Sequence, residues 1–323
     1  MTKGPLLARL HSRLRMRHML LLKTLGASPN LRRAAATLNL SQPVASTLLR
    51  ELEDAFGERL FERTARGLEP TAAGTAMAGW AVLVLADLEA ARDDLKSIAQ
   101  GRSRRLRIGV SPVAAPSLLP RALGFFLARY PKATFAIQTG IESALTELVT
   151  GGELDCVVCR MTPEADNSAL TYTSLYSERS DVVVGAHHPL AKAERFAPTD
   201  MDSYDWILPL SAGAPYNLVA KRLLEEGCEL PRVVVETWST VVIVNLLQFG
   251  DWLAVLPRSI ACQHAKAGSI AILPFALPDA LLPLAILTRK GVAGKEELLS
   301  ALVESVQKAA AEWTNVGEAG ATE

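Results

Sequence analysis

Four cysteines in 323 residues are too few to staple a fold, so no disulfide framework is expected and the cytoplasm is the expected compartment. Net charge is missing too: 34 Lys and Arg balance 34 Asp and Glu. No run reaches the ~20 uninterrupted apolar residues of a membrane span. The longest candidate, 76–86, lies inside a helical pattern, so no membrane partner is expected. The opening MTKGPLLARLHSRLRMRH scatters arginine through its apolar residues and has no small-residue cleavage site, which argues against a signal peptide. Also lacking are G-x-S-x-G, a glycine loop with Lys to cradle phosphates, and H-E-x-x-H. No catalytic residue, metal or cofactor is therefore assigned, although an α/β enzyme fused to another module stays open as an alternative.

What is present is a hydrophobic fraction of 49% with 21% charged residues, the composition of a globular chain with an ample core. The length suits two or three domains. Charge is unevenly placed. Residues 1–107 hold 18 Lys and Arg against 10 Asp and Glu, an excess of eight basic residues that the remainder offsets with acid. One basic end calls for a polyanionic partner at that end.

Within it, 1–14 reads as a basic extension. Met16, Met19, Leu20 and Leu22 then recur at helical spacing over 15–25. Asn30 stands where an N-cap belongs, before a second helix that buries Leu31, Ala34, Ala35 and Leu38. Asn39 and Leu40 form a turn, Ser41 caps a third helix, and Pro43 sits in its first turn, where a missing N–H costs nothing. Ala45, Leu48, Leu49 and Leu52 face inward, while Gln42, Ser46, Thr47 and Arg50 face outward. That outward stripe offers hydrogen bonds to base edges and charge to phosphates, whereas a solvated face would more often carry Glu and Lys pairs. Arg32 and Arg33, on the second helix, add positive charge. After Gly57, Leu60 and Phe61 begin a strand and Arg63, Thr64, Arg66 and Gly67 make a basic turn, a wing whose arginines suit phosphate or the minor groove; a plain basic hairpin is the alternative.

SQPVAS, then LRELE, then FGERLFERT-x-RG-x-x-PT-x-AG resemble the winged helix-turn-helix of the LysR-type transcriptional regulators, without a gap from about Met16 to Gly74. The resemblance implies base reading by Gln42, Pro43 and Ser46 and a wing contact by Arg66. Thr47 departs from the pattern, which often places Arg or Lys there, and Arg50 is the substitute source of charge.

A long helix is expected over 71–99. Met77, Ala81, Val84, Leu88, Ala91, Leu95 and Ile98 form a heptad seam, with Trp80 at one end of the contact. A seam needs a partner helix, and the resemblance implies a homodimer, assembling into a homotetramer, on double-stranded operator DNA, with RNA polymerase a further partner that promoter control would engage. Residues 100–105, QGRSRR, read as a hinge.

Beyond the hinge the grammar alternates between strands and helices, which implies parallel sheets and an α/β region over 106–313. The expected strands are 106–110, 134–138, 154–158, 206–210, 233–236, 253–256 and 285–288; the helices are 117–130, 142–150, 218–226, 240–249 and 295–313. The resemblance implies two periplasmic-binding-protein-like lobes, the first from 106–179 and 275–313, the second from 180–274, with a disordered tail at 314–323. The fold class is thus α plus α/β: winged helix-turn-helix, linker helix, two-lobed effector domain.

Small ligands bind such folds at strand carboxyl ends and helix N-termini. The residues so placed are Ser111, Pro112, Thr139, Ser143, Arg160, Ser211, Thr237 and Ser239. Hydroxyls with an arginine suit an organic acid or a sugar derivative as effector. Cys156 and Cys159 form C-x-x-C inside a strand, where positions three apart point to opposite faces, so neither a metal site nor a disulfide is expected; a redox-sensing regulator is the alternative reading. His187, His188 and Pro189 lack further ligands for zinc. A DNA-binding protein without an effector is a further alternative, against which the large α/β region stands.

Overall fold

A computed structural model describes residues 14–64, 67–99, 105–161, 170–209, 214–278, 282–290 and 295–319. The chain divides at Arg105 into two compact units.

The first unit begins with α1 (Met16–Ala27), α2 (Leu31–Thr37) and α3 (Gln42–Phe56). The Asn30 side chain accepts the Arg33 N–H at 3.0 Å and so caps α2. Asn39 adopts φ 53°, a left-handed conformation asparagine tolerates, and turns the chain into α3. Ser41 precedes α3 but its hydroxyl makes no capping bond. Gly57 at φ 73° ends the helix. Ala45, Leu48, Leu49 and Leu52 are buried as their spacing predicts, against Leu21, Leu22 and Leu25 of α1. The interior face of α1 is set by His18, Leu21, Leu22 and Leu25, leaving Met16 and Leu20 exposed. The wing is β1 (Phe61–Thr64) paired antiparallel with β2 (Gly67–Pro70).

Helix α4 (Ala72–Ala99) follows, with Thr71 accepting the Gly74 N–H at 3.0 Å. A side chain at Gly74 would overlap the Leu60 carbonyl, so glycine lets helix and wing approach. The expected seam divides in two. Ala81 is fully buried among the residues of the first three helices and Met77 packs against that cluster, so neither belongs to a surface for a partner. Trp80, Val84, Leu88, Ala91 and Leu95 are exposed, and the side chain of Ile98 lies outside the described residues. Contrary to the expectation from its uninterrupted runs, 72–96 is long and apolar enough to cross a membrane by length and composition; alanines between the larger apolar side chains keep its hydropathy high.

The second unit contains two mixed sheets. One has the order β4-β3-β5-β12-β6, from β3 (Arg105–Val110), β4 (Thr134–Thr139), β5 (Cys156–Arg160), β6 (Leu170–Tyr176) and β12 (Leu284–Arg289). The other has the order β11-β7-β10-β8-β9, from β7 (Ser180–Gly185), β8 (Asp205–Leu208), β9 (Val233–Glu236), β10 (Trp252–Pro257) and β11 (Ile270–Ala276). The alternation implies parallel sheets; both sheets are mixed. The strands β6, β7 and β11, which the alternation did not reveal, join antiparallel, as does β12. Helices α5 (Leu118–Arg129), α6 (Glu142–Thr150) and α10 (Glu296–Ala319) accompany the first sheet; α7 (Ala214–Glu225), α8 (Thr240–Leu246) and α9 (Arg258–Lys266) accompany the second. Arg105 is strand, not hinge, and residues 100–104 lie outside the described residues. The last helix continues to Ala319, six residues into the stretch expected to be disordered.

Under the first sheet, Asp155 is fully buried and gathers three donors: the Arg107 backbone N–H at 2.8 Å, the Arg107 guanidinium at 2.8 Å, and Lys295 Nζ at 3.1 Å. Burial pushes its carboxyl upward, but the hydrogen bonds from Arg107 and the charges of Lys295 and Arg107 outweigh burial and hold it below its ordinary value of 3.8. Its contribution to stability is therefore complete above that ordinary value and is lost as pH falls through the lower native one. Asp155→Ala, which removes the buried carboxylate that Arg107 and Lys295 share, is expected to cost roughly 3–5 kcal/mol at pH 7. Thermal melts of parent and variant should converge as pH drops toward 2; an equal gap at every pH would contradict this.

Candidate functional site

On the first unit, α3 presents Gln42, Thr47 and Arg50 to solvent, with Pro43 exposed and Ser46 half-buried. Two grooves flank this face. One is lined by Ser46, Arg50, Glu53 and Arg63, the other by Asn30, Arg32, Gln42 and Arg63, so the wing arginine borders both. Arg33 is also exposed, and Arg66 lies outside the described residues. The Thr47 hydroxyl donates to the Pro43 carbonyl at 3.1 Å, which commits its proton to the helix itself.

Two positioning carboxylates escaped the sequence reading. Glu53 Oε1 accepts the N–H groups of Leu60 and Phe61 at 3.0 and 3.2 Å, and its other oxygen meets Arg59 at 3.3 Å. Glu51 accepts from the buried His18 at 3.1 Å, the Nδ1 of that ring receiving the Arg15 N–H at 3.0 Å. Both were hidden because LRELE looks like an ordinary charged helix end.

In the second unit a cleft of about 350 Å³ opens between the sheets. Pro112 and Val113 form one wall; Pro209, Trp238, Ile243 and Leu256 form the other, and Leu282 lies where the chain crosses between lobes. Glu142, Arg160, Ser180, Thr237 and Thr240 are the polar groups of the lining. Arg160 is held in place: Nη1 donates to the Leu282 carbonyl at 3.2 Å and Nη2 to the Glu178 carbonyl at 3.3 Å. Burial draws its pKa down, opposed by the charges of Glu178 and Glu142.

Of the residues expected here, Pro112, Arg160 and Thr237 line the cleft. Ser111 is fully buried beneath it, its N–H on the Val158 carbonyl at 2.9 Å and its hydroxyl without a hydrogen-bond partner among the described residues. Thr139 and Ser143 are exposed and outside the lining, because the edge position of β4 and the first turn of α6 turn them to solvent. Ser239 instead caps α8, accepting the Val242 N–H at 3.4 Å, while Thr237 accepts the Ser239 N–H at 3.1 Å. Ser211 lies outside the described residues. Trp238 and Glu142 each neighbour a residue singled out from the sequence, but neither an indole nor a lone glutamate carries a pattern that marks a cleft wall.

The cleft floor joins the lobes. Glu178, 4% exposed, accepts the Ser259 N–H at 2.9 Å, and the Ser117 hydroxyl donates to that of Ser259 at 3.1 Å. Burial raises the Glu178 carboxyl above the usual range despite these bonds and the charge of Arg160. Nearby, Arg258 meets Asp181 at 3.1 Å and its N–H meets the Arg179 carbonyl at 2.9 Å.

Cys156 and Cys159 are buried and belong to different clusters on the two faces of the first sheet. Burial raises both thiols, that of Cys159 to about 12, so neither is a ready thiolate. Among the described residues no group of three or more His, Cys, Asp or Glu is arranged to hold a metal.

Two family profiles match the chain: the bacterial regulatory helix-turn-helix protein, lysR family, over residues 16–75, and the LysR substrate binding domain over 99–311. The regulator GbpR of Azospirillum brasilense is 32% identical over 267 residues, covering 82% of this chain and 78% of its own length. PcaQ of Agrobacterium fabrum is 27% identical, with coverage of 93% and 96%. Among solved structures, full-length CbnR gives a TM-score of 0.54 at 21% identity, covering 92% of this chain and 99% of its own, which supports the fold. With an exposed polar α3 beside a wing that carries Arg63 and a two-lobed α/β unit around a cleft, this chain belongs to the LysR family of transcriptional regulators.

Proposed function

We propose that the chain reads a two-part operator as a homodimer, with α3 in the major groove and the wing along the backbone, under control of a small molecule seated between the lobes. The observation that carries this is the outward stripe Gln42, Thr47, Arg50, whose arginine shares a groove with Arg63 of the wing. Gln42 and Ser46 are assigned to base edges and Arg32, Arg33, Arg50, Arg63 and Arg66 to phosphates. A relative in this family, CbnR, has been solved in complex with its target DNA, which supports the placement by analogy of fold.

Exposed Trp80, Val84, Leu88, Ala91 and Leu95 are assigned to the dimer contact, which accounts for the apolar surplus of α4 without a bilayer. A tetramer, RNA polymerase contact and a cytoplasmic location belong to the same reading. The cleft, largely apolar and holding one clamped arginine, is assigned to sensing.

An operator selected from random duplex DNA tests the reading heads. Gln42→Ala should weaken specific binding by about 1–3 kcal/mol and relax preference at one position, whereas Arg50→Ala should weaken all sequences and reduce the salt slope by about one. Thr47→Arg should tighten binding and steepen that slope. Unchanged affinity in the first two variants would refute the placement of α3.

Sedimentation velocity tests the linker. Leu88→Lys should shift the dimer toward monomer at micromolar concentration while the chain stays folded; an unaltered dimer would place the contact elsewhere.

A further inference from the structure

The lining of the cleft narrows the chemistry of its occupant. Its walls are flat and apolar: the rings of Pro112, Pro209 and Pro257 together with the indole of Trp238, 44% exposed and thus available to a ligand face. A dry cavity of roughly 150 Å³ accepts benzene. About 350 Å³ therefore suits one ring with substituents. A sugar acid would turn several hydroxyls toward the proline and indole walls, which cannot pair with them, with only Glu142, Ser180, Thr237 and Thr240 to receive the rest.

Charge sets a second limit. Arg160 is the only cation among the described lining residues, and it is pre-oriented by two backbone carbonyls, with N–H groups left over from its five. Glu142 lines the same cleft and acts on Arg160 electrostatically, and Glu178 lies directly behind. Arg160 already faces these two carboxylates, so a ligand carboxylate reaches it only through its remaining N–H groups, and a second ligand carboxylate would meet the same two acids with no cation of its own. Glu142 can accept a proton donor, and Thr237, whose oxygen accepts the Ser239 N–H, keeps its hydroxyl proton to donate.

Resting on the reading of this cleft as the effector seat, we propose that it takes an aromatic monocarboxylate bearing a ring hydroxyl. The carboxylate meets Arg160, the ring lies against Trp238 and the prolines, and the hydroxyl is received by Glu142 or Thr237. Dicarboxylates and sugar acids bind more weakly, the first because a second charge has no cation and the second because hydroxyls against the proline and indole walls go unpaired.

Thermal melting and calorimetric titration of the full chain with 4-hydroxybenzoate, benzoate, cyclohexanecarboxylate, phthalate and gluconate test this. The hydroxylated arene should bind best and raise Tm, benzoate several-fold more weakly, and the saturated ring more weakly again for loss of stacking. Arg160→Met should abolish binding, and Glu142→Gln should let phthalate in by about tenfold, a gain that misfolding cannot mimic. Cooperative melting of each variant controls for folding. A gluconate or phthalate shift in the parent that exceeds the 4-hydroxybenzoate shift and vanishes in Arg160→Met overturns the ligand class and leaves the cleft standing. A 4-hydroxybenzoate shift that survives both Arg160→Met and Trp238→Ala overturns the cleft as the seat. No shift with any of the five overturns the proposal.

Discussion

The direction in which α3 faces depends on Glu53. Its carboxylate sits at the last turn of the helix and receives two backbone N–H groups from the start of the wing. Helix and wing thereby share one anchor, and the buried stripe of Ala45, Leu48, Leu49 and Leu52 leaves only the opposite face for contact. A hydrogen bond to a charged acceptor is worth about 1.5–3 kcal/mol. Two of them at one carboxylate outweigh the rotamer entropy of a glutamate, so the geometry is fixed before any DNA arrives. The reading head is preorganised.

The same economy of side chains appears along α4. Its first turns belong to the head, where Met77 and Ala81 complete the core, and its later apolar side chains face outward. One helix is thus structural at one end and, on the proposed reading, associative at the other. In the second unit the floor of the cleft is built likewise from shared groups: Glu178 supplies its carboxylate to the N-terminus of α9 and its carbonyl to Arg160. A ligand that draws on Arg160 thus touches the segment that joins the lobes, which gives effector binding a physical route to a change in lobe geometry.

Much of this was legible in the sequence where one signal sufficed. Helix α6 and strand β9 fall on the residues that periodicity marked, and Asn30, Asn39 and Gly57 sit where capping and turn chemistry put them. The heptad count failed at Met77 and Ala81 because spacing cannot say whether the neighbour is the same chain or another. Strands β6, β7 and β11 escaped because an α/β alternation hides antiparallel strands that arrive without an intervening helix. At the cleft, Arg160 was visible as a charge after a strand, whereas Thr139 and Ser143 misled because a hydroxyl at a strand or helix end has many uses. Trp238 and Glu142 carried no pattern at all; only the closing of two lobes reveals them.

The central claim is that two copies of α3, joined through α4, read two half-sites. Hydroxyl-radical footprinting of the full chain on its selected operator addresses it directly. The account expects two protected tracts related by a two-fold axis, centred about one helical turn or a multiple of it apart. Both should fade together in Gln42→Ala. A single protected tract, or protection that Gln42→Ala leaves intact, would contradict it.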